Sequence, residues 1–173
     1  AMNAALTNAA RLHSQFQLAT ATQGHIGSGG STLGTRALAA GYDFTSLGEN
    51  VYAFAKHTFH GHLGFQIDWG KDIPADTDGM QAGRPHRVNI HGNFREVGVG
   101  VVFGTNTVSS NTVGPQLVTQ DFGNSTAGTA FVTGVAYYDM NGNSFFDPGE
   151  GIGGLTVNVD GSSFHAVTAG TGG

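Results

Sequence analysis

The chain has 173 residues, of which 39% are hydrophobic and 11% are charged, so it carries enough apolar side chains to bury a core. Its 29 glycines favour turns and short strands over long helices. The net charge of -5, with seven Lys and Arg residues and no cysteine, argues against a nucleic-acid surface and excludes a disulfide framework or a thiolate metal site.

Helices are predicted in the first part of the chain. Over residues 4–22, apolar side chains recur every three or four positions, which is typical of a helix with one buried face. Residues 31–40 predict a shorter helix that begins at Ser31 as its cap. A third helix is predicted over residues 50–66, where apolar residues again keep helical spacing.

The pattern changes to strands after residue 95. Residues 96–103 and 116–122 alternate in twos and predict a pair of antiparallel strands. A Gly- and Thr-rich linker at 123–130 follows, after which residues 135–138 and 155–159 predict two more strands.

We therefore expect an α+β fold with one domain over residues 1–127 and a β-rich module over residues 128–173. No apolar run approaches the roughly 20 residues of a membrane-spanning helix, so no transmembrane segment is expected. The flexible composition at the C-terminus predicts that the sequence is a fragment of a longer multidomain chain.

Two histidines and a glutamate stand in short signatures of their own. They are Gly-His25-Ile-Gly-Ser, Gly-Glu49-Asn-Val and Pro-His86-Arg-Val. Imidazoles and a carboxylate drawn together by folding could hold a divalent cation or move a proton. The alternative is that the three side chains bind each other and the backbone and only fix loops. The sequence leaves both interpretations open.

The amino-acid sequence around these residues resembles that of the bacterial branch of the CAP superfamily, which includes the cysteine-rich secretory proteins, antigen 5 and the pathogenesis-related proteins. Seven stretches carry the resemblance in the family's order, at residues 10–14, 25–31, 36–42, 48–51, 86–90, 94–100 and 118–122. The resemblance implies a three-layer α/β/α sandwich around a small antiparallel sheet. The helix that normally opens the family fold is missing from the sequence.

The resemblance also implies a groove with two histidines and two acids. His25, His86 and Glu49 match three of these positions, and Asp72, three residues after Trp69, matches the fourth, with Asp68 as its substitute. The metal expected there is zinc or another divalent cation.

A second cation site is predicted in the C-terminal module. Oxygen donors follow the spacing of an EF-hand loop, with Asp139, Asn141, Asn143, the Phe145 carbonyl, Asp147 and Glu150 as ligands. Because the flanks are predicted strands, residues 134–160 resemble the calcium-binding B-repeat of bacterial surface adhesins and related prealbumin-like modules. The alternative is a hairpin turn without an ion.

Three functions remain open from the sequence. The first is a secreted or surface-associated, non-enzymatic binding module with an extracellular ligand, whether a small molecule, a lipid, a peptide or a glycan. The second is a metal-dependent hydrolase of peptide or cell-wall substrates in which Glu49 is the general base. The third is a structural adhesion segment with a vestigial groove. A separate metal site at His57, His60 and His62 is a further possibility.

Overall fold

The computed structural model describes residues 1–70, 79–128 and 130–173, and it has mixed α+β content. The chain divides into two compact units, Ala1–Thr129 and Ala130–Gly173. Among the described residues, no helix combines the length and the apolar character needed to cross a bilayer.

The N-terminal unit opens with helix α1, Ala4–Thr20. The side chain of Asn3 accepts hydrogen bonds from the backbone N–H groups of Ala5 and Leu6 and so caps the helix. The helix ends two residues earlier than predicted, because Ala21 adopts the left-handed conformation, with φ of 52°. The second predicted helix is also present as α2, Leu33–Ala39, with Thr32 rather than Ser31 as its cap.

The third predicted helix is wrong in its first half. Phe44–Ala55 forms strand β1, and helix α3 covers only Thr58–Ile67. Buried Val51, Ala53 and Ala55 alternate with more exposed residues, which is the period of a strand. The backbone hydrogen bonds of β1 are made with a strand more than sixty residues later in the chain, a partner that local spacing does not reveal.

Helix α4, Pro85–His91, leads into the remaining strands of the N-terminal unit. These are β2 (Glu96–Phe103), β3 (Asn106–Val108), β4 (Asn111–Val113) and β5 (Gln116–Ser125). The predicted antiparallel pairing of the strands at 96–103 and 116–122 is confirmed, since β2 pairs with β5 in antiparallel register. The described sheet has the order β1-β5-β2, and β3 and β4 form a separate hairpin.

Strand β5 lies in the middle of the sheet and is buried over most of its length. Leu117 belongs to a core cluster with Ala21 and Ala53, whereas its neighbour Val118 belongs to another with Ala55 and Phe65. Because successive side chains of a strand point to opposite faces, apolar residues cover the sheet on both sides.

Helix α1 packs closely against β2 because β2 has glycines at the contact. A Cβ atom at Gly98 would overlap the backbone of Leu6 and Thr7, and one at Gly100 would overlap the backbone of Ala10 and Arg11. Only a residue without a side chain lets the helix approach the sheet this closely.

The two outer strands of the sheet end in different ways. Along β2, Val97 exchanges backbone hydrogen bonds with Ala1 and Asn3, and Met2 forms a parallel bridge with Val97. Strand β1 is interrupted by irregular register between Phe44 and Ser46 and between Tyr52 and Ala55. Neither outer strand is therefore a long, regular, unpaired ladder.

The C-terminal unit contains the short strands β6, Thr156–Asn158, and β7, His165–Val167, which pair with each other. Strand β6 lies inside the predicted segment 155–159. The predicted strand at 135–138 is reduced to a single bridge between Tyr137 and Gly151, flanked by backbone hydrogen bonds. The N–H of Ala136 donates to Gly172 and that of Tyr138 donates to Glu150, so the segment bonds to two separate stretches and forms no regular ladder.

Candidate functional site

His25 and Glu49 are in direct contact. The Nδ1–H group of His25 donates a hydrogen bond to Oε1 of Glu49 at 2.8 Å, while the guanidinium of Arg36 forms an ion pair with Oε2. Strand β1 supplies the carboxylate, helix α2 supplies the arginine, and the loop after α1 supplies the histidine. Arg36 also donates to the backbone carbonyls of His25 and Ser31, so it fixes the loop as well as the acid.

The exposure of the two partners differs sharply. The side chain of Glu49 is 2% exposed and that of His25 is 59% exposed. Burial alone would raise the pKa of Glu49, but the hydrogen bond from His25 and the positive charge of Arg36 together hold that pKa below its ordinary value. The same hydrogen bond raises the pKa of His25. Glu49 is therefore a buried, paired anion, and His25 presents its other nitrogen at the surface.

His86 forms a similar pair with Asp68. The Nδ1–H group of His86 donates to Oδ1 of Asp68 at 2.7 Å. The other oxygen, Oδ2, accepts the backbone N–H groups of His86 and Arg87 and so satisfies the first turn of α4. Asp68 is fully buried and ends α3 in the left-handed conformation, with φ of 67°. The acid that meets His86 in the structure is thus Asp68. Asp72 lies outside the described residues.

Neighbouring residues of β1 link the two pairs. Asn50, next to Glu49, donates from its side-chain amide to the backbone carbonyl of His86. Asn89 of α4 donates to the backbone carbonyl of Glu49 and to Oδ1 of Asn50. The sequence signatures around Glu49 and His86 therefore meet along β1 and α4. Within the described parts of the chain, no group of three or more His, Asp or Glu side chains is arranged to hold a metal ion.

A third acid of the site, after Glu49 and Asp68, was not predicted from the sequence, and it lies next to Glu49. Asp121 of β5 lies directly opposite Glu49 in the β1–β5 ladder. Its side chain is fully buried, no N–H group of the described residues donates to its carboxyl oxygens, and it lies within hydrogen-bond reach of the Glu49 carboxylate. Burial and the negative charge of Glu49 raise the pKa of Asp121 to about 8. Asp121 is accordingly protonated at neutral pH, while Glu49 keeps the charge.

His13 completes this buried group from helix α1. Its Nε2–H group donates to the carbonyl of Gly24 at 2.8 Å and lies 3.9 Å from Oε2 of Glu49. Burial lowers the pKa of His13, so the ring is neutral, and its buried Nδ1 has no partner within the described structure. The helical spacing correctly indicates a buried histidine, but it does not reveal that the ring faces a carboxylate.

The histidines after β1 have local structural roles. Nδ1 of His57 accepts the backbone N–H of His60 and caps helix α3, and Nδ1 of His60 accepts the backbone N–H of Lys56. His62 contacts the side chain of Gln120 at 3.4 Å. The ring nitrogens of His57 and His60 that bind the backbone are therefore not free for a metal.

The predicted calcium loop closes through its own oxygen atoms. The Asp139 carboxylate accepts backbone N–H groups from Gly142, Asn143 and Ser144, which together lower the pKa of Asp139. Asn141 and Asn143 both donate to Oδ2 of Asp147.

The closing end of this loop is the buried Glu150. Its carboxylate accepts the backbone N–H groups of Met140 and Asp147. The N–H of Phe145 donates to the side chain of Asn143, so the predicted ligand residues lie in one small loop. Ser144 has φ of 63°, where EF-hand loops have glycine.

Comparison with known proteins finds no matching family model, no similar curated protein and no similar solved structure.

Proposed function

We propose that this chain is a secreted or surface-associated, non-enzymatic binding module, with a CAP-type domain followed by a partial B-repeat-like module. The observation that carries the proposal is the pair of His–carboxylate contacts, in which His25 and His86 both use Nδ1 to bind a buried acid. This arrangement fixes each ring and leaves its Nε2 atom for a ligand.

The α/β/α layering belongs to this proposal. Its support is that β5 carries core residues on both faces, with Leu117 on the side of α1 and Val118 on the side of α3. The asparagine contacts between β1 and α4 support a groove that runs along β1. In this arrangement, His25 and His86 lie at the groove wall and their acids lie behind them.

The metal proposed for the groove is zinc, held by Nε2 of His25 and Nε2 of His86. Neutral imidazoles suit this ion, and each ring already has the carboxylate partner that commonly orients a zinc-binding histidine. Glu49 does not fit as a direct ligand, because one of its oxygens binds His25 and the other binds Arg36. When bound, zinc would supply a positive centre that can hold an oxygen atom of a ligand.

The hydrolase alternative is less well supported by the same contacts. A general base must be able to accept a proton from water at the reacting group. Glu49 is buried, paired with Arg36, and has a lowered pKa, which makes it a poor proton acceptor. We therefore assign Glu49 to orienting His25 and stabilising the loop that carries it.

Calcium is proposed as the ion of the C-terminal module, bound by oxygens of the loop from Asp139 to Glu150. The anionic Asp139 and the gathered oxygens of Asn141, Asn143 and Asp147 support this assignment. Calcium of millimolar concentration outside cells would occupy even a weak site of this type. An extracellular or cell-surface location is proposed on the same ground.

Zinc titration of the full chain tests the groove. We expect His25→Ala and His86→Ala each to weaken zinc binding at least tenfold, while His165→Ala, a matched change in the C-terminal unit, leaves it unchanged. Circular dichroism of each variant would check that the fold is retained. Equal zinc binding by the wild-type chain and the double variant His25→Ala and His86→Ala would refute the metal site.

A further inference from the structure

A small cleft lies beside His86, between β1 and α3. Its volume is about 240 Å³, and its walls include Gln23, Tyr52, Phe65, Trp69, Gln81 and His86. Since one water molecule occupies about 30 Å³ of liquid, the cleft has room for about eight waters. It is therefore the size of a ligand with one six-membered ring, below the roughly 300 Å³ at which pockets for drug-sized molecules begin.

Two amides in the cleft wall are held by the backbone at one end. Oε1 of Gln23 accepts the N–H of Ala53 at 2.7 Å, and Nε2 of Gln81 donates to the carbonyl of Trp69 at 3.0 Å. These bonds leave the Nε2 group of Gln23 as a donor and Oε1 of Gln81 as an acceptor, neither having a partner among the described residues. The cleft thus offers a fixed donor and a fixed acceptor, which suit the hydroxyl groups of a polyol.

Aromatic rings form much of the remaining wall. Phe65 is buried and packs against both Tyr52 and His86, with ring centroids 6.2 and 5.3 Å apart. Trp69 is 41% exposed, so part of this large ring is open to solvent at the cleft. An exposed aromatic surface next to amides favours a ligand with an apolar ring face and a polar rim.

The described lining of the cleft is polar and aromatic rather than acidic or strongly basic. Among the described residues that line it, there is no Lys or Arg to bind a carboxylate or phosphate, and no Asp or Glu to bind a cation. Asp68, the nearest acid in sequence to Trp69, is fully buried and already paired with His86. An acyl chain would leave the two amides without partners, which is costly in a closed contact.

We infer that this cleft binds a neutral sugar ring, with the C–H face of the sugar on the aromatic wall and its hydroxyls on the Gln23 and Gln81 amides. The inference rests on the proposed function, since it names the ligand class of the groove that contains His86. It does not require zinc, because neither the aromatic wall nor the two amides contact the sugar through a metal. The ligand would thus be a saccharide unit of a neutral glycan.

Tryptophan fluorescence can monitor the cleft, because Trp69 lines it and is the only tryptophan in the sequence. The experiment is a fluorescence titration of the full chain, with a chelator present, using methyl β-D-glucopyranoside and N-acetyl-D-glucosamine as probes. We expect a saturable change in Trp69 emission with at least one of these sugars. D-glucuronate, which has the same ring with a negative charge, should bind at least tenfold more weakly, and choline should not bind.

Gly64→Ala is the variant that closes the cleft with the least disturbance. A Cβ atom there would lie 3.4 Å from the Tyr52 ring and 3.5 Å from the Trp69 ring, in ordinary contact with two cleft walls. Because Gly64 lies within α3, alanine should also keep or raise helix stability. We expect sugar binding to weaken at least tenfold, while Gly134→Ala, where the added carbon meets nothing within 4 Å, leaves it unchanged.

The possible outcomes separate this inference from the proposed zinc site. No saturable response to either sugar, a response to choline alone, or equal sugar binding by wild type and Gly64→Ala would overturn the inference. None of these results changes the zinc titration. Conversely, sugar binding that persists in His25→Ala together with a failed zinc titration would remove the metal from the groove and keep the sugar site.

Discussion

The substitution Asp121→Asn should change how the stability of the N-terminal unit depends on pH. Asp121 is fully buried opposite Glu49, and its pKa rises from an ordinary value of 3.8 to about 8. The folded protein therefore holds one proton more than the unfolded chain between about pH 4 and pH 8. Because the folded state binds more protons than the unfolded chain in this range, the free energy of unfolding falls as the pH rises from about 4 to about 8. Above about pH 8, the contribution of Asp121 no longer changes with pH.

The size of this effect follows from the difference in pKa. At about 1.4 kcal/mol for each factor of ten in the protonation equilibrium, a rise in pKa from 3.8 to about 8 corresponds to a loss of up to about 6 kcal/mol across the range. Asparagine has nearly the same shape and does not ionise. The variant should lack this loss and should be more stable than the wild type at pH 8 and above, by up to a similar amount.

The assay is urea unfolding of wild type and Asp121→Asn at several pH values from about 5 to about 9. The raised pKa of His25 makes its contribution to the free energy of unfolding fall as the pH rises. The lowered pKa of His13 makes its contribution rise over its own titration range. Both histidines remain in the variant, so the difference between the two proteins isolates Asp121. Asp43→Asn, at an exposed position, is the control.

One result would refute the reasoning. If Asp121→Asn lowers stability by the same amount at every pH, Asp121 would be an ionised group with partners in the folded protein. A neutral, proton-holding Asp121 gives a difference that grows with pH.

Three further substitutions test other contacts. Gly98→Ala should destabilise the N-terminal unit by about 1–3 kcal/mol in urea unfolding, because the added Cβ overlaps the α1 backbone. The control Gly24→Ala, whose Cβ meets nothing within 4 Å, should change stability little, and equal effects of the two substitutions would contradict the packing argument. We expect calcium to raise the stability of the wild-type chain by about 1–3 kcal/mol in thermal unfolding with and without chelator, and Glu150→Gln should remove this rise. A rise that is retained in the variant would count against Glu150 as a ligand. Asp68→Asn should lower the free energy of unfolding by about 1–3 kcal/mol in urea, because the His86 side chain and the first turn of α4 lose a carboxylate acceptor. Unchanged stability would show that this acceptor is dispensable.

The fold was predictable where local spacing decides it. Helix α1 buries Leu6, Ala9, Ala10 and His13 on one face, and this stripe is visible in the sequence. The start of β1 was not predictable in the same way, since residues 50–55 have apolar spacing that fits both periods. Strand β5 decides between them by supplying backbone hydrogen bonds from a distant part of the chain.

The candidate site shows the same division. The His25 and Glu49 signatures fall on two residues that are in contact, and the acid that contacts His86 is Asp68, the substitute for Asp72 in the resemblance. Asp121 could not be assigned from the sequence, because its role depends on the register that sets it opposite Glu49. A shift of one residue in that register would turn the side chain to the other face of the sheet.

The two ends of the sheet bear on self-association. Exposed backbone groups on an outer strand can template the addition of strands from other molecules, which is how many β-proteins aggregate. Here the first three residues occupy the ladder of β2 around Val97, and irregular register breaks the ladder of β1. The segment from Ala1 to Asn3 therefore covers the end of β2 near Val97, and the bulged register of β1 makes regular pairing with a further strand less favourable.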